Sequence, residues 1–434
     1  MATPRSIRYL NEVRALNALF RRGGMSRADL ARRLNLNRAS VGYIIRDLLA
    51  AGLVRERSGG AGRAARARAG RPGIVVELDS GSATFLGVEI GVDHIAVVAI
   101  DLGGKAFLRR SVEYRTSARS PAFTARRVAE LVGAVARSLE GGRGRIQGVC
   151  VAIPALVRDG TVVNGLMLGW RDVPLGDLLR EALGRRLPVL VENDANALAI
   201  GETYGMASNP TETVVCLDIE NGAGGGIVIG GELFRGATGF SGELGQLPLG
   251  GAGFTAGRPR SGHLESYIGK DAILARYRAN GGPATADLPQ LLAALEARDR
   301  VARRTAAEWG QRLAHGLTLV VHVINPGRIV LGGSVAAIYP HVAERVREDM
   351  RKEFLEGFPL PAIEVSRLGA AGTAFGAACL LHQQMFSVDE RLVHAQGELE
   401  GRRRLITGRR GHGRAGGRGG EGAGRRGREK VHAA

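Results

Sequence analysis

The sequence predicts a small all-α head followed by a large α/β domain. Apolar residues recur at helical spacing up to about residue 51, and from Ile74 the texture changes to short β-rich runs separated by glycine turns and helical stretches. Strands that alternate with helices are the pattern of an α/β domain. At 434 residues the chain has room for two or three cores, because a single core stops growing near roughly 250 residues.

Composition narrows the class further. A hydrophobic share of 44% and a charged share of 24% are those of a soluble globular protein. No apolar run approaches the roughly 20 residues that span a bilayer, so no membrane partner is expected. The opening MATPRSIRYLNEVRALNALF lacks the apolar core of a secretory signal, which leads to the expectation of a cytoplasmic protein. Cys150, Cys216 and Cys379 lie far apart in apolar stretches and are expected as reduced, buried thiols. Charge is uneven. Residues 1–73 hold 16 Arg against four acids, residues 401–434 hold 11 Arg or Lys against two, and the stretch between carries a net −3 of the total +18. Both ends suit a polyanion and the centre does not.

In the head, Ile7, Leu10, Val13, Leu16, Leu19 and Phe20 mark a first amphipathic helix that Gly23 and Gly24 end. Ser26 with Asp29 has the form of a capping box opening a second helix, Arg27 to Leu34. Asn37 is a good N-cap for a third helix through about Ala51, with Val41, Ile44, Ile45, Leu48 and Leu49 as its buried stripe and Gly52 as its C-cap. The opposite face carries Arg38, Ala39, Gly42, Tyr43 and Arg46. Small residues there let a helix approach base edges, and cations meet phosphates. The stretch SRADLARRLNLNRASVGYIIRDLLAAGLVRE is similar to the winged helix-turn-helix of bacterial repressors. Double-stranded operator DNA is therefore the expected partner, and residues 1–57 the expected DNA-binding domain. Residues 58–73 read as a basic wing or linker, in which Arg71, extended by Pro72 and flanked by glycine, suits a narrow minor groove.

In the large domain, taken as residues 74–385, four motifs follow in order: VENDANALAIGE, GGGIVIGGELFRGATGFSGELGQL, GHLESYIG, and NPGRIVLGGS with LGAAGTAFGAA. Together with GWRDVPL at 169–175 they resemble the ROK family of bacterial repressors and sugar kinases. The resemblance implies a two-lobed actin-like ATPase fold with a sugar cleft between the lobes, and it puts Asp194 at the position of the kinases' base. A sugar offers only hydroxyls, which carboxylates and amides hold best. Asn193, Asp194, Glu243, Gln246 and Glu265 are the expected ligand-binding set.

Departures from the family pattern bear on activity. Kinase members carry a loop resembling Asp-Ile-Gly-Gly-Thr-Lys, where this chain has Glu89-Ile90-Gly91-Val92-Asp93-His94. Val92 replaces a glycine that should approach a phosphate, and Asp93 sets a negative charge there. The Gly-rich run Glu220 to Gly226 reads as a tight turn between strands. Family members that bind zinc do so through one His and three Cys, where this chain shows Gln246, Ala256, Arg258 and His263, so no metal and no cofactor are expected. Met167 stands where many relatives have an Asn that contacts sugar. The expectation is thus a homodimeric or higher homo-oligomeric regulator, a repressor of carbohydrate genes with a degenerate kinase domain. The alternative is an active ROK sugar kinase with a DNA-binding appendage. Residues 386–434 read as a basic, disordered Gly/Arg-rich tail.

Overall fold

A computed structural model of the chain describes residues 4–58, 74–139, 144–185, 187–204, 212–254 and 261–386. Arg71 and the tail read as disordered, apart from its first residue, lie outside these. Helix α1 spans Pro4–Arg22, α2 Arg27–Leu34 and α3 Arg38–Ala50. Val13, Leu16 and Leu19 of α1 are fully buried, while Ile7, expected on the same stripe, is half exposed. Gly23, in the left-handed region at φ +77°, ends the helix. Ser26 accepts the Asp29 backbone N–H at 3.1 Å, and its hydroxyl donates to the Asp29 carboxylate at 2.7 Å. Asn37 accepts the Ser40 N–H at 2.8 Å and so opens α3. That helix closes one residue earlier than its pattern suggests, with Ala51 as the C-cap and Gly52 following in the left-handed region.

Strands Val54–Ser58 and Ile74–Leu78 pair antiparallel, and Met25–Ser26 joins the outer side of the second. Ile74–Leu78 therefore belongs to the head's sheet, although the change of texture at Ile74 suggests the start of the large domain. Strand pairing overrides sequence proximity here because Val76, fully buried, completes the head's core.

Each lobe of the large domain holds a five-stranded sheet, and the two sheets share one plan. In the first, the order is Val189–Asn193, Arg145–Ile153, Ala83–Ile90, His94–Asp101, Ala106–Glu113, the first three parallel and the rest antiparallel. The second runs Ala362–Val365, Arg328–Gly332, Thr213–Ile219, Ala223–Ile229, Glu232–Leu233 with the same pattern.

Two helices cross between the sheets. Helix Asp194–Thr203 follows the first lobe's strand Val189–Asn193 but packs on the second sheet, where Gly226 leaves room for it: a Cβ there would sit 2.8 Å from Ala195 O. Helix Gly372–Phe386 follows the second lobe and packs back on the first sheet at Gly87, where a Cβ would meet Ala374 O at 1.9 Å. Where the two helices touch, a Cβ on Gly376 would stand 1.8 Å from Ala197 O. Glycine is the residue that permits this approach.

The head is attached to the same helices. Phe20 of α1 stacks on Phe386 at 5.1 Å between ring centroids and meets His382 at 5.2 Å and Tyr204 at 5.8 Å. Asn17 donates to Phe386 O at 3.2 Å. The apolar core of the head is thus continuous with that of the large domain.

Gly376→Ala is expected to lower the melting temperature through overpacking worth about 1 to 3 kcal/mol or more. Gly133→Ala, mid-helix in Pro121–Ser138 where a Cβ meets only the Arg137 side chain at 3.5 Å, is expected to gain up to about 1 kcal/mol. Calorimetry on both variants checks this, and equal shifts would refute the tight crossing.

Candidate functional site

A cleft of about 820 Å³ opens between the lobes, and Asn193, Asp194, Glu243, Gln246 and Glu265 all line it. Each is placed by local structure. Asn193 caps the helix that follows, accepting the Asn196 N–H at 3.0 Å and donating to Ala155 O at 3.2 Å. Asp194 is the first residue of that helix and accepts the Ala195 N–H at 2.8 Å. Burial pushes its carboxyl up to about 7; the Ala195 N–H opposes this, and the charges of Glu89 and Glu243 add to the rise. Burial and the charge of Asp194 likewise raise Asp218. Glu265 accepts the Ala223 N–H at 3.1 Å, and a Cβ on Gly222 would sit 2.7 Å from its oxygen, so the glycine turn and this carboxylate fit one another. Pro154, Leu156, Leu166 and Met167 give the cleft an apolar wall.

Several cleft residues stand outside the expected ligand-binding set, among them Glu89, His94, Asp218, Glu220, Lys270 and Ser334. Their signal is faint: each lies at or within one residue of the end of a strand or the start of a strand or helix, a place where chains display binding groups. His94 matters most for the first loop. Its backbone O accepts the Gly91 N–H at 2.9 Å, closing a tight hairpin, and its ring lies over Gly91, where a Cβ would stand 2.4 Å away. The imidazole sits 3.3 Å from Glu89 and 3.1 Å from Asp93. The hydrogen bond to Glu89 is the main cause that lifts its pKa to about 9, against the effect of burial. Asp93, expected to confront a phosphate with its charge, is instead paired with His94, whose hydrogen bond holds that carboxyl below its ordinary range.

Of the four positions in the zinc register, Ala256 and Arg258 lie outside the described residues. Among the described residues no group of three or more His, Cys, Asp or Glu is arranged to hold a metal. The three cysteines are buried with free thiols.

On the head, Arg38, Ala39, Tyr43 and Arg46 are exposed along α3, and Gly42 lies among them with nothing within 4 Å of its Cβ position. The Arg46 guanidinium lies 4.8 Å over the Tyr43 ring, which holds both side chains on that face. Arg55 and Arg57 on strand Val54–Ser58 flank Glu77 at 2.9 and 3.7 Å. Such exposed pairs are worth about 0 to 1 kcal/mol.

Residues 85–384 match the ROK family, and residues 10–64 match the MarR family. The chain is 24% identical over 396 residues to a putative xylose repressor of Caldicellulosiruptor sp. (strain Rt8B.4), covering 88% of this chain and 97% of that one. It is 30% identical over 347 residues to a transcriptional regulator of Mycobacterium bovis, covering 75% and 74%. A crystal structure of a ROK family transcriptional regulator, a homologue of the E. coli MLC protein, superposes with a TM-score of 0.75 at 23% identity, over 92% of this chain and 99% of that one. At that identity the likeness speaks for the fold.

Two outcomes follow. The raised His94 pKa means that its stabilising contribution is fully present below about 6.5 and is lost as pH rises through about 9. Wild type should therefore lose stability relative to His94→Gln between those values in pH-dependent melts, and parallel profiles would refute the pairing. Gly42→Ala should stabilise α3 by up to about 1 kcal/mol. If that face lies against DNA, the same variant weakens operator binding, as Arg38→Ala and Tyr43→Ala should, each by about 1 to 3 kcal/mol. Anisotropy titrations decide, and unchanged affinity in all three would remove α3 from the interface.

Proposed function

The chain belongs to the ROK family, and on that premise we propose that it is a DNA-binding transcriptional repressor of carbohydrate genes, controlled by a sugar or sugar derivative held in the cleft. One observation carries this reading. The helix that starts at Asp194 in the cleft ends at Tyr204, whose ring packs against Phe20 of the head. The cleft and the head thus meet on one helix, and a ligand that prefers one lobe arrangement biases the placement of the head.

In this reading Asp194, Glu243 and Glu265 accept hydroxyl protons, Asn193 holds the start of the helix, and Gln246 supplies an amide. The exposed face of α3 enters the major groove, with Arg71 reaching the minor groove. The head runs to Leu78 and the two-lobed sensor follows. Two heads on half-sites roughly 34 Å apart require a homodimer or higher homo-oligomer. The chain acts in the cytoplasm; no helix among its described residues is long and apolar enough to cross a membrane. Relatives named as repressors support a regulator rather than an enzyme. The first loop supports it as well, since Val92 stands where a phosphate-approaching glycine is expected and the preceding Gly91 N–H donates to His94 O. Asp194 favours the rival reading, a sugar kinase with a DNA-binding appendage, because a carboxyl near 7 suits a general base.

The test is fluorescence anisotropy on DNA from the gene's own upstream region, with xylose and glucose added, beside a coupled assay for ATP consumption. Specific binding that a sugar weakens at least about tenfold, with no phosphorylation, is expected. Sugar phosphorylation that is lost in Asp194→Asn would establish the kinase instead.

A further inference from the structure

The cleft contains a second constellation that the sugar-binding set does not use. It lies where the turn after strand Thr213–Ile219, the start of helix Lys270–Ala279 and the Gly332-Gly333-Ser334 turn converge. There the Glu220 carboxylate accepts the Ser334 backbone N–H, accepts the Ser334 hydroxyl at 2.7 Å, and stands 3.1 Å from the Lys270 ammonium. The Lys270 backbone N–H donates to Glu220 O at 2.8 Å and fixes the lysine's root. Gly333 is left-handed at φ +79°, and a Cβ on it would lie 2.3 Å from Ile219 O. A backbone N–H, a hydroxyl and an ammonium converging on one point form a donor set suited to phosphate oxygens. Here a carboxylate of the chain itself occupies that point.

We propose that Glu220 is a specificity-determining residue whose carboxylate fills this anion corner from within, so that the cleft rejects phosphorylated sugars and nucleotides and accepts a neutral saccharide. The inference rests on the sugar-responsive reading above and adds the chemical class of the effector.

Tethering keeps the carboxylate at its donors at an effective concentration on the order of millimolar or above, so a dissolved phosphate competes with a group that cannot diffuse away. If displaced, Glu220 remains beside the phosphate as a like charge. The facing wall adds Glu89 and Asp93, and Asp93 attracts the Lys270 charge across the gap. From Glu89 through His94, Asp93 and Lys270 to Glu220 the charges alternate, so the cations at this end of the cleft already have carboxylate neighbours. Arg109 and Arg110, which also line the cleft, are exposed and solvated, and they draw anions weakly.

Inorganic pyrophosphate is the probe, titrated calorimetrically into the full chain as wild type, Glu220→Ala, Glu220→Gln and the double variant Glu220→Ala/Lys270→Ala. The alanine variant uncovers the corner. The glutamine variant keeps the shape, removes the charge and guards against a folding defect. Pyrophosphate should bind the alanine variant at least about tenfold more tightly than wild type, with the glutamine variant between them and the gain lost in the double variant. Wild type binding pyrophosphate as tightly as Glu220→Ala would overturn the proposal, as would two folded single variants that gain nothing. Operator release by xylose or glucose is read separately. A pyrophosphate gain without any sugar response would sink the sugar reading and leave the anion corner standing, whereas a sugar response without the gain would do the reverse.

Discussion

The crossing of helices Asp194–Thr203 and Gly372–Phe386 is the contact on which the rest of the structure depends. Each helix leaves one lobe and packs on the sheet of the other, so the lobes are interlocked rather than merely adjacent. Gly87, Gly226 and Gly376 stand where these helices come closest to a sheet or to one another, and a methyl group at any of them would overlap backbone. The start of the first helix sets Asp194 at the floor of the cleft. The end of the second presents His382 and Phe386 to the head. One packing solution therefore fixes the cleft, the lobe geometry and the seat of the head together.

The cleft built on this crossing is dominated by carboxylates, and their mutual repulsion shapes its chemistry. Beyond burial, the charge of Asp194 raises Asp218, the charge of Glu243 raises Asp194, and Glu89 adds to both. Ligand hydroxyls that donate to Asp194 favour its ionised form, and a ligand that displaces water from the cleft strengthens those bonds. A neutral polyol relieves the crowding by supplying donors. A further anion makes it worse.

Much of this was legible in the sequence because periodicity and turn chemistry are local. The three head helices, their caps at Ser26 and Asn37, and the strand-helix alternation after Ile74 are all written in spacings of a few residues. The five residues Asn193, Asp194, Glu243, Gln246 and Glu265 were readable as one site only through the family pattern, since the fold brings them together from separate turns. What escaped were facts of the third dimension. Nothing in the spacing says that Ile74–Leu78 pairs back onto Val54–Ser58. Nothing says that His94 folds over Gly91 to pair with Asp93, or that Glu220 reaches Ser334 across 114 positions. A charged residue beside a glycine run looks the same whether it faces a ligand or another part of the chain.

The link between cleft and head can be assigned to packing rather than to titration. The His382 ring is fully buried, and burial pushes its pKa down to about 4, so it is neutral under ordinary conditions. Leu102 O lies 2.9 Å from Nε2 and can only accept, so that nitrogen carries the proton and Nδ1 accepts from the Tyr204 hydroxyl. The ring thus holds the first lobe, the end of the Asp194 helix and the stacked Phe20 and Phe386 in a single arrangement. Moving that arrangement from almost wholly one state to almost wholly another takes a ligand preference of about 5.5 kcal/mol. Hydrogen bonds to a charged group are worth about 1.5 to 3 kcal/mol each, so two to four formed in only one lobe arrangement suffice. In the proposed ligand set the carboxylates of Asp194, Glu243 and Glu265 fall within that number, and a ligand whose preference falls short of it shifts the head only in part.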